Sequence, residues 1–213
     1  MGSVEHTLSS AATDTMDKIL AAAEIEFAAR GFDGAGMKAI SKRADVSQAL
    51  LHYHFGNKDH LYTKVVEHRS RVINAERIAL LEAIDLRGPT ALEQILDALF
   101  RPPLGPAGGD QAYKRIFGGL IVGQEREQAL VRDCYDPTAR RFIDALARAV
   151  PGLDQQAAAH AYTLALGTLV VVISRDGRLE RLMGVTRKRD IEETLAGLIR
   201  FGSAGIKALA AET

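Results

Sequence analysis

No tryptophan occurs in this chain, and there is a single cysteine, Cys134. One cysteine excludes an intrachain disulfide, so the fold has to rest on packing alone, as suits a reducing compartment. Cys134 reads as an ordinary half-buried thiol rather than a redox sensor. An excess of charge is also missing: 27 Lys and Arg balance 27 Asp and Glu. Nothing global draws the chain to nucleic acid or to a membrane surface, so any such affinity must be local. Proline is scarce, with six in 213 residues, and three of the six fall between Arg101 and Asp110. Long hydrophobic runs are absent too. The longest, Ala161 to Ile173, contains Thr163, Gly167 and Thr168 and is too short to span a bilayer. The N-terminus carries no basic segment leading into an apolar core, so no signal peptide is expected and the expected location is cytoplasmic.

Catalytic signatures are missing as well. There is no phosphate loop, dinucleotide fingerprint or nucleophile elbow. The six histidines give no His-x-x-x-His pair on a core helix, and His52 and His54 diverge when two apart on a helix. No catalytic residue, metal site or cofactor is expected, and the chain does not read as an enzyme.

What is present is helical periodicity from end to end, without strand alternation, heptads or internal repeats. The expected fold class is all-α. Residues 1–12 are small and polar and are expected to fray. A first helix starts near Thr13, with Asp14 and Asp17 in its first turn, an apolar stripe of Met16, Ile19, Leu20, Ala23 and Phe27, and Gly31 at its end. A long unbroken helix runs from Asn57 to about Ile84, apolar at Leu61, Val65, Val72, Ile73, Leu80, Leu81 and Ile84. Thr90 with Glu93 reads as a capping box, and Arg101 to Asp110 as a loop. Gln111 to about Leu130 reads as one helix despite Gly118, Gly119 and Gly123. Asp136-Pro137 starts another that Val150-Pro151-Gly152 ends. Asp154 caps a helix to about Ser174. Arg175 to Arg189 is a polar connection, and the last helix spans about Asp190 to Ala210.

The most informative stretch is Ile40 to Lys58. Ile40 and Ala44 share one helix face. Asp45-Val46-Ser47 is a turn, in which Val46 can plug between helices and Ser47 can accept from a backbone amide as an N-cap. Leu50 and Leu51 anchor a second short helix, whose Gln48, Ala49, His52 and Tyr53 remain outward. Gly56-Asn57 ends it and starts the next. Two short helices around a tight turn make a helix-turn-helix, whose second helix enters the DNA major groove. Gln can read adenine bidentately and a small apolar side chain can touch a thymine methyl. His54 and Phe55 read as packing residues. Between Gly36 and Lys58 the cations are Lys38, Lys42, Arg43 and Lys58 against Asp45 alone, a small basic patch.

The residues Gly31-Phe32…Met37…Ile40-Ser41…Ala44-Asp45-Val46-Ser47…Leu51…Tyr53-His54-Phe55…Asn57-Lys58…Leu61 resemble the N-terminal domain of TetR-family (tetracycline-repressor-like) transcription regulators. The resemblance covers about residues 13–62 at fixed spacing. It implies an all-helical homodimer with a three-helix DNA-binding domain at residues 1–57. A C-terminal domain at 58–213 would bind a small molecule and dimerise. It implies a second helix from about Met37 to Ala44 and a recognition helix from about Gln48 to His54, with Tyr53 and Lys58 at phosphate-contacting positions. The chain departs from the family at Ala35-Gly36, where hydroxyl residues are frequent, and at His52, where Tyr is. The DNA-binding candidates are Lys38, Lys42, Ser47, Gln48, Ala49, His52, Tyr53 and Lys58.

Two further sites follow. The helix ending at Ser174 is apolar nearly all round, and the last helix carries one apolar stripe. Paired with their copies they make a four-helix interface, with Leu166, Leu169, Val170, Ile173, Leu195, Leu198, Gly202 and Ile206 as candidates; the same residues can also fill the core of a monomer. The effector candidates are Leu96, Phe100, Tyr113, Phe117, Leu120, Gln124, Phe142, His160, Tyr162 and Thr163. In this reading Gly118, Gly119 and Gly123 leave volume, Gln124, His160 and Thr163 point inward, and the 101–110 segment acts as a lid. The expected function is a ligand-responsive transcriptional regulator, more often a repressor than an activator. It would bind palindromic operator DNA as a homodimer until an apolar or amphipathic effector releases it. The rival reading is a helical dimeric protein-interaction module without specific DNA binding.

Overall fold

The computed structural model describes residues 2–174, 178–184 and 190–211, with side chains from residue 14 onward except that of residue 179. Eleven α-helices and one short 3-10 turn occur among these residues, and no strand. The chain divides into two compact units, residues 1–69 and 70–213.

The first unit contains α1 (Gly2–Gly34), α2 (Met37–Arg43), α3 (Gln48–Phe55) and the start of α4 (Lys58–Glu82). Helix α1 begins at Gly2, ahead of the expected start at Thr13; no proline interrupts residues 2–13. Its backbone leaves the helical region at Gly31, with φ +67°, where a residue without Cβ is favoured. Ile19, Leu20, Ala23 and Phe27 are buried as the stripe requires, whereas Met16 stays exposed. They share one small core with Ile40 of α2 and its C-cap Ala44, Leu51 and Phe55 of α3, and Leu61, Tyr62 and Val65 of α4. Tyr62 packs edge-on against both Phe27 and Phe32.

Two buried glutamates brace this unit through ion pairs. Glu26, 4% exposed, accepts from Arg43 Nε and Nη2 at 2.9 and 2.7 Å, and Arg30 Nε stands 3.2 Å from its other oxygen. Glu24 pairs with Arg69 at 3.0 Å, joining α1 to α4.

The second unit holds the rest of α4, then α5 (Ala91–Leu104), α6 (Gln111–Ile121), α7 (Glu125–Cys134), α8 (Asp136–Ala149), α9 (Gln155–Ser174), α10 (Arg178–Met183) and α11 (Ile191–Ala211). Several boundaries differ from the sequence reading. Helix α5 runs through Pro102 and Pro103, so the expected loop is confined to 105–110 and includes a 3-10 turn at Pro106–Gly108. The two prolines remove the i+4 amide partners of the Ala98 and Leu99 carbonyls, and Arg77 Nε of α4 donates to the Leu99 carbonyl in place of the lost amide. Thr90 makes no side-chain cap bond; its hydroxyl accepts from Gln94 Nε2, and Glu93 turns instead to Lys207 of α11 at 2.7 Å. The long helix expected from Gln111 breaks at 122–124. Glu127 Oε2 there accepts from the Gln124 amide and starts α7 afresh.

Asp154 caps α9 through the amide of Ala157 at 2.7 Å, as expected. The connection expected at 175–189 includes α10, while residues 175–177 and 185–189 lie outside the described residues. The core of the unit gathers Ile95, Leu96, Leu99 and Phe100 of α5, Tyr113, Phe117 and Leu120 of α6, Phe142 and Leu146 of α8, Ala161, Tyr162, Leu169 and Ile173 of α9, and Leu195, Leu198 and Ile206 of α11. By length and composition α9 is apolar enough to cross a bilayer, but its inner face is buried in this core.

Candidate nucleic-acid interface

The turn between α2 and α3 has a defined geometry. Ala44 caps α2. Asp45 adopts φ +55°, in the left-handed region, with its amide 3.4 Å from the Lys42 carbonyl. The Val46 amide then donates to the Ser41 carbonyl at 3.0 Å. This is a Schellman ending, here with Asp at the position glycine usually takes. The chain reverses, and Ser47 Oγ accepts from the Leu50 amide at 3.0 Å to start α3.

Helix α3 is anchored by buried Leu51 and Phe55 and half-buried Leu50 and His54. Its other face presents Gln48, Ala49, His52 and Tyr53, all exposed, with Tyr53 at 83%. These four positions are contiguous on one helical face. His52 Nδ1 lies 2.7 Å from the Gly56 carbonyl, which fixes the ring at the helix end and leaves Nε2 outward. Ser47, Lys38 and Lys42 are exposed as well. Asn57 Oδ1 accepts from the His60 amide and starts α4.

Lys58 behaves differently from the other cations. Its Nζ donates to the carbonyls of Asp33 at 3.1 Å and Ala35 at 3.2 Å and sits 4.5 Å from the centre of the Phe32 ring. It clamps the exit of α1 to the start of α4, and one ammonium proton remains for an outside acceptor. Arg43 is likewise committed inward, to Glu26. The basic character of the exposed patch therefore rests on Lys38 and Lys42.

Two family models match the chain. One, described as bacterial regulatory proteins of the tetR family, covers residues 19–65. The other, the tetracyclin repressor-like C-terminal domain, covers residues 95–205. The chain belongs to the TetR family. It is therefore a DNA-binding transcriptional regulator and not an enzyme. Among the relatives it resembles is the HTH-type transcriptional activator FasR of Mycolicibacterium smegmatis, 29% identical over 88% of this chain and 80% of that protein. The negative transcriptional regulator IcaR of the biofilm operon in Staphylococcus epidermidis is 41% identical over 24% of this chain and 28% of its own length. A TetR-like regulator from Rhodococcus sp. RHA1 has the same fold, with a TM-score of 0.66, 18% identity, and coverage of 90% of this chain and 95% of that one.

In the C-terminal unit of this TetR-family chain, the candidate effector residues divide in two. Leu96, Phe100, Tyr113, Phe117, Leu120, Phe142 and Tyr162 are all buried. Of these, Tyr113 and Phe117 line a crevice of about 150 Å³ with Ile73, Pro103, Gly108, Lys114 and Ile173, nowhere wide enough for a water molecule. Gln124, His160 and Thr163 do not point inward but are exposed. Gln124 stands at the start of α7, and Thr163 Oγ1 donates back to the Ala159 carbonyl. The glycines leave no cavity: Gly118 lies against Val170 and Ser174, Gly119 is exposed, and Gly123 takes part in the α6–α7 break. Nor is the 105–110 segment a free lid. Ala107 and Gly108 are buried, and a Cβ on Gly108 would strike the Pro103 carbonyl.

The dimer candidates are redistributed as well. Leu169, Ile173, Leu195, Leu198 and Ile206 are buried within the unit's own core, and Leu166 and Val170 are half-buried. Gly202 meets Leu96 of α5, 3.3 Å from where its Cβ would be, so its close approach is internal. Periodicity identified apolar stripes on α9 and α11 but not which stripe faces inward. The outward large apolar residues on these helices are Leu164 (52% exposed) and Val171 (73%) on α9 and Phe201 (70%) on α11, with Ile191 (36%) at the start of α11.

Proposed function

We propose that this chain is a homodimeric, ligand-responsive regulator of transcription, working in the cytoplasm on a palindromic operator. The observation that carries the DNA side is the continuous exposed face of Gln48, Ala49, His52 and Tyr53, opened by a capped Ser47. Gln48 and Ala49, at the N-terminal end of the recognition helix, would meet base edges. His52, Tyr53, Ser47, Lys38, Lys42 and the remaining proton of Lys58 would meet phosphates and set the register. DNA reading is assigned to residues 1–57, and effector binding and dimerisation to 58–213.

Dimerisation is assigned to the outward faces of α9 and α11. Leu164, Gly167 and Val171 share one side of α9, while Phe201 and Gly205 share one side of α11. A Cβ built on Gly167 or Gly205 meets nothing within 4 Å, so a second copy can come close there. Two such helices from each copy make a four-helix interface, and two-fold symmetry matches a palindrome.

The effector is assigned to the core around Tyr113 and Phe117. The crevice there is too narrow to admit even a water molecule, so a ligand of useful size must part the helices around it. A ligand that binds the parted core better shifts the population toward that state. Helix α4 contributes to both compact units and is the direct mechanical link between effector and DNA reader.

Repression is the simplest outcome, since a bound dimer blocks access to its operator. Activation is the second reading, because FasR, matched over 88% of this chain, is an activator.

The test is selection of DNA from a random duplex pool at near-physiological salt, wild type beside Tyr53→Ala. An enriched palindrome that the variant fails to enrich supports the reading. If the folded wild-type protein enriches nothing, the DNA reading fails and the interaction-module reading takes its place.

A further inference from the structure

Arg77 of α4 is completely buried in the second unit. Part of its role is structural. Leu99 lacks the usual i+4 amide partner, because that position is Pro103, and Arg77 Nε donates to the Leu99 carbonyl at 3.0 Å. Its Nη2 is buried and meets no acceptor among the described residues. Among the described residues, the titratable groups that act on it are the phenols of Tyr162, Tyr135 and Tyr113, which are neutral at neutral pH, and no carboxylate. Asp136 acts on Tyr162, whose pKa burial already raises. Burial lowers the pKa of Arg77 from its ordinary value, yet a guanidinium keeps its proton at neutral pH. One turn away, Asn74 Nδ2 donates to the Cys134 carbonyl at 2.7 Å, and its Oδ1 is buried and unmet. One face of α4 thus offers an unpaired cation and an unpaired acceptor. Tyr113 joins this polar pole to the apolar crevice with Ile73, Phe117 and Ile173.

A buried charge without a counter-ion is costly unless something compensates it. We infer that the effector is an amphipathic anion whose carboxylate pairs with Arg77 while its apolar tail enters the crevice beside Tyr113 and Phe117. This inference rests on the effector reading above and adds the ligand's charge to it. An arginine fork and a carboxylate match in shape and charge, and a donor next to the carboxylate would satisfy Asn74 Oδ1. A cationic head of the same tail length would meet Arg77 unfavourably.

The test uses decanoate, decanol and decyltrimethylammonium on the full-length protein, below their micellar concentrations, with binding read by calorimetry and thermal unfolding. Decanoate is expected to bind about tenfold or more tighter than decanol, the scale of one charge-assisted hydrogen bond. Decyltrimethylammonium is expected to bind weakest. The variant Arg77→Gln places a donor at the chain position of Nε, keeping the Leu99 bond while removing the charge. It is expected to unfold no lower than wild type and to bind decanoate and decanol within about twofold of each other, since the charge-assisted term is gone. Equal binding of decanoate and decanol by wild type overturns the anion inference but leaves the effector reading standing. Absence of binding by all three overturns the inference, and the DNA selection then judges the regulator reading separately. A large drop in the unfolding temperature of Arg77→Gln would show that the chain itself satisfies the charge, and would overturn it as well.

Discussion

At the scale of single residues, the turn of the helix-turn-helix depends on Asp45 holding φ +55°. Asp tolerates the left-handed region better than most residues, and β-branched side chains do not. Asp45→Val is expected to cost about 1–2 kcal/mol through this backbone conflict, while Asp45→Gly is expected to leave stability unchanged or slightly higher. Thermal unfolding distinguishes the two, since 1 kcal/mol shifts a chain of this size by about 2–4 °C. Equal losses for both variants would mean that the Asp side chain, not the backbone, holds the turn. The cap at Ser47 was legible from sequence because a hydroxyl before an apolar pair has one local use. Lys58 was not. Its partners, the Asp33 and Ala35 carbonyls, come from a helix end twenty-odd residues earlier, and its sequence neighbours read as a solvated cation. Arg77 was missed for the same reason. Next to Glu76 it reads as surface charge, and only the Leu99 carbonyl freed by Pro103 explains why it is inside.

At the scale of elements, most helices were legible and several junctions were not. The α1 stripe from Ile19 to Phe27 (Met16 aside), the Asp154 cap of α9 and the break at Gly152 are local signals, and each stands where the sequence put it. The extent of α5 is not local, because two prolines signal a loop unless tertiary donors replace the lost amide bonds. The docking of α11 on α5 also depends on distant pairs, Glu93 with Lys207 and Arg101 with Glu192, while Asp97 holds Arg101 within α5. The side-chain hydrogen bond from Lys207 holds the Glu93 carboxyl below its ordinary value, and Arg101 does the same for Glu192. For each, the unfolded chain takes up its proton first as pH falls. The stabilisation is therefore complete above the ordinary carboxylate range and is lost as pH drops through the lower folded values. Both sites are largely exposed, so each contribution is small. Lys207→Met is expected to flatten the acid limb of a stability–pH profile without changing stability at pH 3. A wild-type profile unchanged by the substitution would show that the Glu93–Lys207 pair adds nothing to the α5–α11 contact.

At the scale of the whole molecule, the proposed dimer decides whether the DNA reader works. A monomer presents one recognition helix and reads half a palindrome, whereas two copies read both halves. The sequence could mark α9 and α11 as the apolar helices but could not assign their faces, since both have apolar residues to spare on either side. With Leu169, Ile173, Leu195, Leu198 and Ile206 consumed internally, the partner-facing surface reduces to Leu164, Gly167, Val171, Phe201 and Gly205. Phe201 is the most informative position to change. It is 70% exposed, so Phe201→Glu costs the isolated chain little. In an isologous interface the substitution enters twice, and each new carboxylate is buried without a partner. Light scattering of Phe201→Glu at micromolar concentration is expected to give a monomer mass beside a wild-type dimer. Operator affinity is expected to fall by about 100-fold or more, because loss of the second half-site removes several kcal/mol of contacts. Its thermal unfolding should then become independent of protein concentration, whereas that of wild type should rise with it. A dimer that survives Phe201→Glu unchanged would move the interface off α11. A wild-type protein that is already monomeric would remove the pairing from the proposed mechanism altogether.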